Sequence, residues 1–157
     1  MKTLSRRILL AFVLAVVGGT LLHFVYDLFP NPITALFSPM RESLWEHIKL
    51  LYFPYLAALL VLTRGGEPGC RAPWLLSLLV ICGVMLAVGY LYHIVLDLDS
   101  TFFDIGLFVV LMAAGFFLLP RLFAPLAGLG WWSEGLWVLV ALLGGATAFT
   151  ESTLAQI

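Results

Sequence analysis

The sequence predicts an all-α integral membrane protein, with residues 1–157 forming one domain that is a polytopic bundle of five transmembrane helices. Of its 157 residues, 62% are hydrophobic and 11% are charged, and the mean hydropathy is +1.08. So few polar side chains could not cover a water-soluble globule, whereas they suit a chain surrounded by lipid. Five apolar runs come close to the roughly 20 residues that a helix needs to cross a bilayer. They cover about residues 8–29, 44–63, 74–96, 105–119 and 132–149.

Prolines and serines mark the boundary between the first two spans. Pro30 and Pro32 end the first span, because proline cannot continue a helix. The apolar residues 33–37 lie between prolines, and we expect them to form a short turn or re-entrant piece in the outer interface. Either Ser38, which precedes a proline, or Ser43 is expected to be the N-cap of the second span.

The fourth run is short for a span, and Phe102 and Phe103 can extend it into the interface.

Basic residues orient the spans. Six of the eight basic residues flank the same ends of the spans: Lys2, Arg6, Arg7, Arg64, Arg71 and Arg121. The positive-inside rule places these ends in the cytoplasm, so the N-terminus is expected inside and the C-terminus outside. A cleaved signal peptide is the competing interpretation of the first run, but the run is long and no small-residue cleavage site closes it.

The three histidines lie near the outer ends of the first three spans. Each lies within one helical turn of a carboxylate: His23 with Asp27, His93 with Asp97, and His47 directly after Glu46, with Glu42 one turn before that glutamate. A rise of roughly 1.5 Å per residue puts all three imidazoles about 24–30 Å from the inner boundary, in one layer. Ionisable groups are costly at this depth, so three pairs predict one functional cavity. For any single pair, a polar anchor or a helix cap is the competing interpretation.

The residue types in this layer predict a divalent metal ion, with zinc as the first choice, because imidazole and carboxylate are its usual ligands. The predicted ligands are His23, His47, His93, Asp27 and Asp97. Glu46 or Glu42 is the predicted general base, which accepts a proton from the attacking water. Further residues expected to line the cavity are Tyr26, Asn31, Ser43, Lys49 and Tyr90.

Three functions are compatible with such a cavity. The leading hypothesis is a metal-dependent hydrolase in the cell membrane, whose site faces the extracytoplasmic side and acts on a lipid-linked or amphipathic substrate. A metal-ion or proton transporter or sensor is the second, although the inner halves of the spans are nearly all apolar. The third is a non-catalytic assembly or interaction protein. Membrane lipid is the expected surrounding partner, and a net charge of −1 gives no reason to expect nucleic acid.

The connection between the first two spans carries three distinctive motifs. They are an Asn-Pro turn at Asn31, a Phe-Ser-Pro step from Phe37, and a Glu-Ser-Leu-Trp-Glu-His run from Glu42 to His47. In these motifs the chain resembles an uncharacterised family of small multi-pass bacterial membrane proteins. Arg41 departs from the smaller polar residue that the resemblance implies. The resemblance implies a multi-pass helical fold and brings no established activity.

Overall fold

The computed structural model describes residues 2–40, 43–128 and 130–154, and within these ranges it contains helices and connections without strands. The predicted all-α class is therefore confirmed. The α-helices are α1 (Lys2–Leu28), α2 (Pro32–Phe37), α3 (Leu44–Leu62), α4 (Ala72–Tyr90), α5 (Thr101–Ala113), α6 (Leu119–Leu122) and α7 (Gly130–Leu154). Two π-helical turns, Leu91–Val95 and Ala114–Leu118, follow α4 and α5, and two 3-10 turns, Pro68–Arg71 and Ala124–Gly128, lie in the connections.

Four helical segments in the described part of the chain are long and apolar enough to cross a membrane. They are Thr3–Leu28, Leu44–Leu62, Gly69–Val95 and Thr101–Leu122. They coincide with the first four predicted spans. In the fourth, the π turn and α6 extend the 13 residues of α5 to the 22 residues of the segment. In α7 the apolar stretch Glu134–Ala148 is shorter. The protein therefore has the helices of a multi-pass membrane protein.

Helix α3 is the centre of the bundle and packs against α1, α4 and α7. Its mean hydropathy is the lowest of the four long apolar segments. Yet 44% of its 18-residue apolar stretch is buried inside the protein, the largest share among the four. Neighbouring helices thus remove the polar side chains of α3 from lipid, where each would be costly. The core around α3 consists mainly of residues from α3, α4 and the α5 segment: Ile48, Leu51, Tyr55, Leu59, Leu75, Leu78, Ile81, Met112 and Phe116.

Two tyrosines of α3 each donate a hydrogen bond to a carbonyl of another helix. The hydroxyl of Tyr52 lies 2.6 Å from the carbonyl oxygen of Val140 in α7. The hydroxyl of Tyr55 lies 2.6 Å from the carbonyl oxygen of Gly115, inside the π turn Ala114–Leu118. Both tyrosines are buried. These bonds fix α3 to the helices on two sides without leaving a polar group unsatisfied in an apolar interior.

Replacing Tyr55 with phenylalanine is expected to lower the free energy of unfolding by about 1 kcal/mol, because the carbonyl of Gly115 then loses its donor. Thermal unfolding of the purified protein in detergent would measure the change. Tyr90→Phe is the matched control, since Tyr90 is 55% exposed and its variant should unfold like the wild type. Equal stability of the Tyr55 and Tyr90 variants would contradict the assigned role of this bond.

Candidate metal site

The end of α4 is not a regular helix. The π turn Leu91–Val95 closes with the amide of Leu96 donating to the carbonyl of Leu91 at 2.9 Å. Asp97 then adopts a positive φ of 51°, a conformation that aspartate tolerates better than most residues. The helix has therefore ended before Asp97, and the four-residue spacing from His93 does not place the two side chains on one continuous helical face.

His93 is held from both ring nitrogens. Its Nδ1 lies 3.1 Å from the carbonyl oxygen of Leu98, beyond the turn. Its Nε2 lies 2.8 Å from Oδ1 of Asp104, in the first turn of α5. Ligand atoms of His93, Asp104 and Asp99 all lie within 4.8 Å of one another. The reversal of the chain between α4 and α5 thus assembles one imidazole and two carboxylates.

The hydrogen bond to Leu98 determines what Nε2 can do. A carbonyl oxygen only accepts, so Nδ1 must carry a proton. If Nε2 has only a lone pair, it faces the carboxylate of Asp104 across 2.8 Å and the two acceptors repel each other. A second proton on the ring or a metal cation between the two groups removes this repulsion. The side chains of His93 and Asp104 are 21% and 41% exposed, so a cation can reach them.

The other two histidines form a separate pair between α1 and α3. The ring centroids of His23 and His47 are 5.8 Å apart, with 36° between the ring planes. Nδ1 of His47 lies 2.8 Å from the carbonyl oxygen of Ser43, one turn earlier in the chain. Neither histidine belongs to the three-residue group of His93 in the described part of the chain. The structure thus brings two of the three predicted imidazoles together and places the third beside two aspartates, Asp99 and Asp104.

Glu46 and Lys49 form a completely buried ion pair. Lys49 Nζ lies 2.7 Å from Glu46 Oε1, and both side chains are 0% exposed. The second oxygen of Glu46 accepts a hydrogen bond from the amide of Met40 at 2.8 Å, and Lys49 also donates to the carbonyl of Ala35 at 2.9 Å. The pair therefore fastens α2 and the chain after it onto α3. That Glu46 is a general base stays a prediction, but its contacts favour a structural role.

Ser38 also serves structure, and it is not the N-cap of α3. It ends α2 as the C-cap, while Ser43 caps α3 by accepting from the amide of Glu46 at 3.3 Å. The buried hydroxyl of Ser38 donates to the carbonyl of Leu22 and accepts from the amide of Tyr26 at 3.1 Å. The Leu22 carbonyl and the Tyr26 amide are four residues apart, the spacing of a backbone hydrogen bond within a helix. The hydroxyl of Ser38 binds both groups and so anchors the end of α2 to α1.

Other predicted site residues in the described part of the chain lie at helix ends, and some of them cap a helix. Asn31 is the N-cap of α2, and its side-chain oxygen accepts from the amides of Ile33 and Thr34. Asp27 lies in the last turn of α1, and Tyr90 is exposed immediately before the π turn. Glu42 lies outside the described residues. Asn31 and Ser43 thus have structural roles as helix caps. Among the described residues, Asp27 is not part of the group around His93, and its role as a ligand stays a prediction, as does the place of Tyr90 in the cavity.

The comparison with protein families decides the membership of the chain. Residues 1–144 match the model of a family of unknown function, DUF6512. The chain belongs to DUF6512. This agrees with the expected membership of an uncharacterised family. Neither curated proteins nor solved structures provide a match to this DUF6512 protein.

Sequence reasoning missed Asp99 and Asp104 as members of the candidate site. Neither lies within one helical turn of a histidine, the spacing that selected the predicted ligands. The signal that identifies Asp104 is its place in the first turn of the next helix, where a carboxylate is favoured by the helix dipole and faces back toward the preceding helix end. No comparable signal marks Asp99.

Proposed function

We propose that this DUF6512 protein is a multi-pass protein of the cell membrane that binds a divalent cation at His93, Asp99 and Asp104 and hydrolyses a lipid-linked or amphipathic substrate. Zinc is the first candidate for the cation. The observation that carries the proposal is the orientation of His93, whose Nδ1 is held by the carbonyl of Leu98 while Nε2 faces Asp104. Metal-binding histidines usually have such an outer partner, which fixes the ring and its tautomer.

The donor set fits a catalytic rather than a structural zinc site. One imidazole and two carboxylates supply three protein ligands, which leaves a coordination position for water or substrate. Ligands at about 2 Å from one ion are at most about 4 Å apart. The present atoms lie within 4.8 Å, so a closure of about 1 Å suffices, and the exposed side chain of Asp99 can provide it.

The surroundings of the site favour a substrate with an apolar part. Leu98 is 47% exposed, Phe102 is 89% exposed and Ile105 is 57% exposed. These side chains flank Asp99 and Asp104 in the sequence, so a polar cluster is bordered by apolar surface. Such a border suits a molecule whose polar group reaches the carboxylates while its hydrocarbon stays in the membrane.

The proposed topology has five spans, with α7 as the fifth, the N-terminus in the cytoplasm and the C-terminus outside. The basic residues near the ends of the spans support this orientation through the positive-inside rule. It places His93 and both aspartates at the extracytoplasmic surface. Substrate would therefore be drawn from the outer leaflet.

A bound cation would polarise a carbonyl or phosphoryl oxygen of the substrate. The protein side chains would position that oxygen and accept the proton of the attacking water. Asp99 is the accessible candidate for the proton acceptor, since a carboxylate that binds the cation through one oxygen leaves the other available. Both oxygens of Glu46 are already in contact with Lys49 and Met40.

Replacing His93 with alanine, or Asp104 with asparagine, is expected to weaken zinc binding at least tenfold, because each change removes a ligand. Zinc content of the purified protein and titration of the metal-stripped protein measure this. Asp97→Asn is the matched control, because asparagine also tolerates the positive φ and Asp97 is outside the described ligand group. A wild-type protein that binds no divalent metal would overturn the proposal.

The hydrolase step requires a separate measurement. Wild-type protein in lipid vesicles should cleave ester or phosphoester lipids, and chelation should stop the cleavage. Metal binding that depends on His93 but is accompanied by no cleavage of any lipid tested would overturn the hydrolase. It would favour the transporter or sensor, which metal uptake into proteoliposomes detects.

A further inference from the structure

A cavity of about 380 Å³ opens at the opposite end of the bundle from His93. It lies between the beginning of α1 and the connection from α3 to α4. Its walls include the apolar side chains of Leu4, Ile8, Leu62 and Trp74, and its lining also includes Arg64 and two glycines. The cavity is therefore amphipathic, with an apolar wall and a cationic residue.

Arg64 is the cation that this cavity offers to a ligand. It is exposed, and none of the described residues forms an ion pair with it. Arg71, in the same connection, is already in use. Its Nε donates to the hydroxyl of Thr63 at 3.3 Å, and its guanidinium lies 6.0 Å from the ring centroid of Trp137. An anion at this end of α3 would thus meet Arg64.

The backbone of the connection is shaped by two glycines. Gly65 has a φ of 76°, which residues with a Cβ rarely adopt. A Cβ on Gly66 would lie 2.6 Å from Sγ of Cys70. The turn that forms the rim of the cavity therefore needs glycine at Gly65, and a side chain at Gly66 would displace the sulfur of Cys70. With glycine at both positions, no side chain there obstructs an approaching headgroup.

We propose that this cavity binds an anionic phospholipid, with the phosphate at Arg64 and part of an acyl chain along Leu4, Ile8 and Leu62. A volume of about 380 Å³ is within the range of small-molecule pockets, about 300–1,000 Å³. Trp74 has the amphipathic ring that is typical of the membrane–water interface. Basic pockets between helices at the end of a bundle that carries Lys and Arg suit anionic lipid headgroups. The site is independent of the proposed hydrolase.

A soluble phosphate could meet Arg64, but it would gain nothing from the apolar wall. A phospholipid uses both parts, because its hydrocarbon covers the exposed side chain of Leu4 and the half-buried side chains of Ile8 and Leu62. The assignment therefore predicts a preference for phosphatidylglycerol over phosphatidylcholine, and weak or no competition by inorganic phosphate.

The test is the retention of lipid by the purified full chain. Protein exchanged into detergent with equal amounts of phosphatidylglycerol and phosphatidylcholine is examined by native mass spectrometry. Arg64→Gln is expected to reduce retained phosphatidylglycerol about fivefold, the effect of one basic residue near an anionic lipid. Leu4→Trp, which fills the cavity from an exposed position without changing charge, should also reduce retention.

Arg121→Gln is the matched control, because Arg121 is also exposed at this end of the bundle and does not line the cavity. Its retention should equal that of the wild type. Equal loss from the Arg64 and Arg121 variants would show only diffuse attraction, and unchanged retention in the Arg64 variant would overturn the site. Displacement of phosphatidylglycerol by millimolar inorganic phosphate would identify a phosphate site instead of a lipid site.

Discussion

Replacing Glu46 with glutamine is expected to lower the free energy of unfolding by about 3–5 kcal/mol, the cost of leaving a buried charge without its partner. Lys49 would keep its hydrogen bond to the carbonyl of Ala35 but lose the carboxylate 2.7 Å away. Both side chains are fully buried, so water cannot replace the lost partner. Thermal unfolding in detergent measures the change, and proteolysis near α2 should accelerate because the pair fastens that helix to α3.

A double-mutant cycle separates the ion pair from other effects of the substitution. Lys49→Met alone should also destabilise the protein, because it leaves Glu46 charged and unpaired. The double variant Glu46→Gln with Lys49→Met removes both charges and should be more stable than the sum of the single effects predicts. If the Glu46 variant unfolds like the wild type and loses only hydrolysis, the side chain is a catalytic base and the structural role is wrong.

Hydropathy predicted the extent of the first four spans, because it depends only on the residues along the chain. The first four predicted spans match the observed helical segments, and the apolar piece between prolines is the helix α2. Rotation about each helix axis depends on the neighbouring helices, which hydropathy does not specify. His23 and His47 do meet across α1 and α3, whereas His93 instead contacts Asp104.

The local geometry at His93 could not be read from the sequence. The π turn consists of Leu91, Tyr92, His93, Ile94 and Val95, which are residues that ordinary apolar helices also contain. Its wide turn and the positive φ of Asp97 are set by the way the chain reverses into α5. Tyr92 stacks on Phe103 across that reversal, with ring centroids 3.7 Å apart. This packing joins the two helix ends and so brings the imidazole to the aspartate of the next helix.

Buried polar groups show the same division between local and tertiary signals. Ser43 was correctly identified as a possible helix cap, because capping is a local interaction with the first turn. Ser38 has an equally suitable sequence context, yet its hydroxyl binds the backbone of α1, sixteen residues earlier at Leu22. A small donor that reaches a distant backbone leaves no periodic pattern in the sequence.

Small residues illustrate how far a sequence pattern can be taken. Adjacent glycines such as Gly18 and Gly19 are typical of close helix packing in membranes, but the structure gives only one of them that role. A Cβ on Gly19 would lie 2.5 Å from the carbonyl oxygen of Leu50 and 2.7 Å from the ring of Phe108. A Cβ on Gly18 would meet nothing within 4 Å. Gly19 therefore sets the close crossing of α1 over α3 and α5, and Gly18 faces open space.

Gly19→Ala is thus expected to lower the free energy of unfolding by about 2–3 kcal/mol, because the backbone of Leu50 cannot move aside as a flexible side chain can. Gly18→Ala is the matched control and should be neutral or slightly stabilising, since alanine is the better helix former and no neighbour is displaced. Thermal unfolding of both variants in the same detergent compares them directly. Because α1 carries His23 and α3 carries His47, separation of these helices should also widen the gap between the two rings. A Gly19 variant as stable as the Gly18 variant would mean that α1 does not cross α3 at this distance, and the pairing of the two imidazoles would lose its structural basis.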